Sequence, residues 1–131
     1  MQLNHLCIRD VLLTAEEMCC YDSGLRNNPI SLEDFLKNDR LNSYSREDVF
    51  YSIQRLGEGN YLEYSHKYSS GGLYLCFVHN LTLSGHEYLE SIRNSKVFDT
   101  VMDKVNEIGG GATIEIVKAI AIKKMKELFD I

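Results

Sequence analysis

Few side chains in this chain stand where they could do chemistry together. His86 and Glu87 are adjacent, and an imidazole beside a carboxylate can relay a proton. On a helix, however, consecutive residues project about 100° apart, and no Ser or Cys with a partnered base is suggested nearby. The pair reads as structural: Thr82 caps a helix, Gly85 admits a close neighbour, Glu87 complements the positive helix end, and His86 packs or bonds to backbone. Gly109-Gly110-Gly111-Ala112-Thr113 before a helix could seat an anion on free N–H groups. It lacks the G-K-[ST] ending and the preceding strand of a phosphate loop, so a flexible helix-to-helix connection is expected. Cys7, Cys19, Cys20 and Cys76 form no C-x-x-C, and His5, His66, His79 and His86 fall on separate elements without metal-ligand spacing. The expectations are a reducing compartment, no metal, no cofactor and no enzymatic activity.

Binding residues are easier to find. With Val49, Ile53 and Leu56 turned inward, a helix opening at Ser45 presents Arg46, Phe50, Tyr51, Gln54 and Arg55 outward. Arg and Gln are capable base readers, and His66 and Lys67, near the tip of a following hairpin, could touch phosphate. Phe50 and Tyr51 as exposed aromatics instead suit a protein partner. Eight tyrosines, five of them between Tyr51 and Tyr74, add to that impression.

The elements that would position these residues follow from periodicity. Leu3 to Cys20 carries Ile8, Val11, Leu12, Ala15 and Met18 at helical spacing. Asp22 to Pro29 is rich in turn residues. Ser31, with Asp34 three residues on, opens a short helix burying Leu32, Phe35 and Leu36, and Ser45 with Asp48 repeats the signal. Tyr61–Lys67 and Leu73–His79 alternate as strands around Gly71-Gly72 and predict a two-stranded ribbon. Asn60, at the junction, is a residue that tolerates a left-handed conformation. Thr82 caps a fourth helix, Ser95 a fifth, and the triple glycine precedes a sixth. That sixth helix has Ile114, Val117, Ala121 and Leu128 on one line and further isoleucines beyond it.

Helix, helix, helix, hairpin is the winged helix-turn-helix layout. The fold expected is mainly α with a small β-hairpin: a winged-helix core over residues 1–80 and a helical extension over 81–131 packed on it as one globular unit. At 131 residues and 44% apolar composition the chain can bury one sizeable core. Its longest apolar run, Leu73–Val78, is too short to cross a bilayer, and Arg9 and Asp10 interrupt the only apolar stretch near the start, so a cytoplasmic location is expected.

Charge argues against the simplest nucleic-acid reading. The formal net charge is −5. Residues 1–80 hold 7 Lys+Arg against 11 Asp+Glu, so four of the five excess negatives lie in the half with the DNA-reader layout. A dedicated DNA reader carries a basic stripe.

The segment Leu81-Thr82-Leu83-Ser84-Gly85-His86-Glu87-Tyr88-Leu89-Glu90-Ser91-Ile92-Arg93 resembles the L-T-x-x-G-H-E-[FY]-L-x-x-[IV]-R stretch of an uncharacterised bacterial and phage-associated family catalogued as a domain of unknown function. Cys7 to Leu13, Ser95 to Phe98 and Gly109 to Lys118 fit the same family. The resemblance implies a winged-helix-like fold, occurrence in mobile elements and no established activity. Two functions are therefore expected. One is a mobile-element-derived regulator binding DNA through the third helix and wing, dimerising through the Thr113–Phe129 helix. The other is a non-enzymatic protein-interaction module, such as a phage effector that binds or inhibits a host protein.

Overall fold

The computed structural model describes residues 1–129. The chain runs α1 (His5–Met18), β1 (Cys20–Tyr21), β2 (Asn27–Asn28), β3 (Ile30–Ser31), α2 (Leu32–Phe35), a 3₁₀ turn (Asp39–Leu41), α3 (Arg46–Glu58), β4 (Leu62–Ser69), β5 (Gly72–Leu81), α4 (Leu83–Ile92), α5 (Ser95–Glu107) and α6 (Ile114–Phe129). It is mainly α with small antiparallel sheets, as the periodicity predicts. Polar caps set most helix starts. Asn4, Ser31, Ser45 and Thr82 each accept a backbone N–H with their side chain, which satisfies one of the donors a helix start leaves over. The fifth helix corrects the expectation by one residue: its cap is Asn94, which accepts from Lys96 and Val97, and Ser95 is already helical.

The sheet holds more than the expected ribbon. β4 and β5 pair as a hairpin from Leu62↔Leu81 to Ser69↔Gly72, and β3 pairs with the opposite edge of β5 through Ile30↔Val78 and Ser31↔Phe77. The strand order is β3-β5-β4. A third strand supplies the support that an isolated hairpin lacks in water. β1 and β2 form a separate small hairpin, whose tip Leu25 has a positive φ of 61° and is exposed.

The core is one cluster. Ile8, Val11, Leu12 and Ala15 of α1 meet Phe35, Val49, Ile53 and Leu56, the sheet side chains Leu62, Cys76 and Val78, and Tyr88, Leu89, Ile92, Phe98 and Val101 behind. Burying each such large side chain contributes about 1.5–3 kcal/mol. α6 adds Ile114, Val117 and Ala121. Its remaining apolar residues do not make one broad face: Ile116 and Ile122 are both exposed but lie about 120° apart around the helix, and Leu128 and Phe129 project beyond the core. The thiols of Cys7 and Cys76 are buried and all four cysteines are free, Cys20 exposed.

α1 is tied to the α5–α6 connection through a buried histidine. His5 Nε2 donates to the Ala112 carbonyl at 2.8 Å, and Gly109, Gly110 and Gly111 all take positive φ to bring that carbonyl into place. Burial lowers the His5 pKa below its ordinary 6.5, and the bond to Ala112 opposes the shift only in part. A ring held neutral in the fold takes up a proton on unfolding, so its contribution is fully present above pH 6.5 and is lost as pH falls below that value. Urea midpoints measured from pH 8 to 5 should therefore fall in that lower range with a slope of at most about 1.4 kcal/mol per pH unit from this group. His5→Gln, which retains a donor for Ala112, should flatten the slope; an unchanged slope would assign it to another group.

Candidate interaction surface on the third helix and the hairpin

Ser45 starts α3 by accepting the Asp48 N–H at 3.0 Å, and Val49, Ile53 and Leu56 bury one side. The outward side is not the open cationic face that Arg46, Gln54 and Arg55 suggest. Arg46 Nη2 donates to Glu33 of α2 at 2.9 Å, and Arg55 Nη2 donates to Glu58 at 2.8 Å. The two arginines are nine residues apart, so they point to opposite sides of the helix about 13 Å apart along its axis. Exposed pairs of this kind stabilise by at most about 1 kcal/mol. Their larger consequence is that each guanidinium already has an anion beside it.

The aromatics are also placed differently from the expectation. Phe50 and Tyr51 are half-buried rather than exposed. Tyr51 carries the Arg55 guanidinium over its ring at 4.9 Å and donates its hydroxyl to the Met1 carbonyl at 3.3 Å. Phe50 meets the edge of His66 at 6.3 Å.

His66 is not near the hairpin tip. It pairs with Cys76 in mid-strand, and its ring turns towards α3. There it stacks flat on Tyr64, with centroids 5.2 Å apart and planes 6° from parallel, while Tyr68 meets it edge-on at 5.3 Å. Tyr64 in turn lies over Gly57, where a Cβ would come within 2.2 Å of its ring. Such contacts contribute about 0.5–1.5 kcal/mol beyond area burial. Phe50, Tyr64, His66 and Tyr68 thus form a continuous aromatic row across the α3–β4 junction, with Tyr68 59% exposed at its end. Lys67, one residue on, projects from the other face of the strand and is exposed, with no carboxylate partner among the described residues. Gln54 is half-buried beside the row and makes no side-chain hydrogen bond among the described residues.

The structure therefore brings together Phe50 with His66 and Tyr51 with Arg55, and holds Arg46 against Glu33. Composition hides the carboxylates that matter: Glu33 comes from another helix, whereas Glu58, three residues after Arg55, was available as an i,i+3 signal.

The segment around Gly85 closes the base of the β4–β5 hairpin. Thr82 Oγ1 accepts the Gly85 N–H at 3.0 Å and donates to the Asn60 carbonyl at 2.6 Å. Asn60 takes the left-handed φ of 62° that its place predicts. Gly85 sits so near the Tyr61 carbonyl that a Cβ there would lie 2.0 Å from the oxygen. His86 and Glu87 are both exposed. Residues 2–112 match the hypothetical-protein family DUF2513. The chain belongs to the DUF2513 family. The match takes in α1 through the triple-glycine connection and stops at Ala112, so of the Gly109–Lys118 resemblance only the glycine turn lies inside it. α6 falls beyond the DUF2513 match. No curated protein and no solved structure matches the chain. Among the described residues, no helix is long and apolar enough to cross a membrane.

Proposed function

We propose that the chain is a non-enzymatic winged-helix module that binds another protein through the aromatic row of α3 and β4. The winged-helix reading rests on the order helix, strand, helix, helix, strand, strand, with the early strand β3 against β5 opposite β4. The binding mode rests on one observation above the others: Arg46 and Arg55 are each matched by a carboxylate, while Phe50, His66 and Tyr68 form a half-exposed apolar surface. Aromatic side chains grouped in this way are suited to anchoring a protein interface. Phosphate binding would first have to displace Glu33 and Glu58.

DNA binding is the second reading, favoured by the exposed Lys67 on the wing, which has no carboxylate partner among the described residues. A DNA column at low ionic strength separates the two, because counterion release favours any phosphate contact most strongly there. The protein is expected to pass through unretained. In pull-downs from bacterial lysate it should hold a stoichiometric protein that the Tyr68→Ala/Phe50→Leu variant releases. Retention on DNA that Lys67→Ala abolishes, with no protein captured, would reverse the assignment.

A further inference from the structure

β4 is the outer strand of its sheet, and one of its edges has no neighbour. The order β3-β5-β4 pairs it with β5 alone, and among the described residues the backbone of Leu62–Ser69 makes no backbone hydrogen bond outside that ladder. A row of unpaired N–H and C=O groups is a template for another strand, which folded proteins blunt with prolines, bulges or very short edge strands. β4 has none of these. It runs for eight residues without proline, and at both irregularities of the hairpin the extra residue, His79 or Tyr74, stands in β5. β4 itself keeps a regular alternation, with Leu62, Tyr64 and His66 on the α3 side and Glu63, Ser65 and Lys67 exposed on the other.

The outward charges are a second, independent observation. Glu63 and Lys67 have opposite signs and share one face, and neither has an ion-pair partner among the described residues. A lone lysine on an edge normally guards it against pairing. Here Glu63 stands at the same distance on the other side of Ser65. A second β4 laid antiparallel about Ser65 therefore sets Glu63 opposite Lys67 of the second copy and Lys67 opposite its Glu63. On the α3 side the same register sets Tyr64 opposite His66 of the second copy, and the reverse. Opposite charges and ring pairs directly across a ladder stabilise it, and like charges there destabilise it. Centring the ladder on Glu63 or on Lys67 would put like charges face to face.

We propose that the protein forms a two-fold dimer in which β4 pairs antiparallel with β4 of a second copy, centred on Ser65. The pairing joins the two three-stranded sheets into one. Such an interface is isologous, so each favourable cross-strand contact occurs twice. The inference stands without the partner-binding reading, because Phe50 and Tyr68 are not required for the charge match.

Charge reversal tests it, with the full chain followed by sedimentation velocity over a concentration series at low ionic strength. The wild type should pass from monomer to dimer. Glu63→Lys and Lys67→Glu each place like charges across both pairs and should each weaken self-association by about tenfold. Glu63→Lys/Lys67→Glu should restore it. An equimolar mixture of the two single variants should form a heterodimer about as tight as the wild-type dimer, although both variants keep a net negative charge. Both positions are exposed, so circular dichroism should show the wild-type helical content in every variant. A wild type that stays monomeric throughout would overturn the proposal and leave the β4 edge to a strand of a different protein. A dimer indifferent to both reversals would also overturn it, placing the contact elsewhere, as on α6.

Discussion

Gly85→Ala is expected to destabilise the protein by about 3 kcal/mol or more, the range of a core overpacked against something that cannot move aside. Intrinsic propensity predicts the opposite sign. Alanine is better than glycine inside a helix by about 1 kcal/mol, and Gly85 lies within α4. The deciding contact is with backbone. An added Cβ would stand 2.0 Å from the Tyr61 carbonyl oxygen and 3.0 Å from its carbon. Tyr61 cannot withdraw, because its carbonyl accepts the Thr82 N–H at 3.2 Å and its own N–H donates to Leu56 at 2.9 Å. Moving α4 instead would pull Thr82 from Asn60 and open the base of the β4–β5 hairpin. A urea titration should show a lowered midpoint with an unchanged m-value. Gly57→Ala is the control. Its Cβ would also be too close, but to the Tyr64 ring, a side chain that can swing away. That variant should lose only about 1 kcal/mol, and should disturb the His66 stack more than the fold. A Gly85→Ala protein as stable as the wild type would mean that α4 docks on the hairpin with slack.

These two glycines also mark what could be read in advance. Gly85 announces itself locally, three residues after a capping threonine, and its role as a point of close approach follows from that position. Helix starts at Ser31, Ser45 and Thr82, the left-handed Asn60 and the hairpin around Gly72 were legible for the same reason: each depends on residues within four positions of one another. Long-range pairings were not. Ile30 and Ser31 form a strand only because β5 lies beside them, and a two-residue strand has no periodicity to detect. The outward face of α3 was correct in its residues and wrong in its state. Arg46 belongs to the predicted set, but its partner Glu33 lies 13 positions away across a turn. His66 was placed on the hairpin correctly, yet its mid-strand register turns it onto Phe50 instead of towards phosphate. Net charge carried the sign of the surface without the positions of its carboxylates. The acidity of residues 1–80 is not a diffuse field but includes carboxylates beside the two arginines that mattered most.

Removing the Arg9 guanidinium should be nearly as damaging as filling Gly85, although nothing in the periodicity of α1 distinguishes it from a surface charge. Arg9 reaches from α1 to the far end of α4, where Nε donates to the Ile92 carbonyl at 2.8 Å and Nη2 to the Arg93 carbonyl at 2.6 Å. Those carbonyls sit at the end of the helix, where no intrahelical N–H remains for them and the dipole favours a cation. The same guanidinium lies 5.2 Å from the centre of the Phe98 ring in α5. One planar group therefore fixes the α4–α5 corner against α1. Seven residues along the same side of α1, Glu16 holds Arg93 at 2.5 and 2.8 Å, but that pair is exposed and contributes little. Charge-assisted bonds to helix-end carbonyls are worth about 1.5–3 kcal/mol when lost. Arg9→Ala should accordingly cost about 3 kcal/mol, a fall in Tm of about 10 °C for a chain of this size. Arg9→Met keeps the aliphatic stem and loses the donors, and should cost about 2 kcal/mol. Arg9→Lys restores the charge without the fork, so one carbonyl stays unmet and the loss should be intermediate between Met and wild type. If Arg9→Met proved as stable as the wild type, the stem packing and not the forked hydrogen bonds would be holding the corner. Glu16→Gln in the same background should add less than about 1 kcal/mol, since its partner is already anchored in solvent by Glu90.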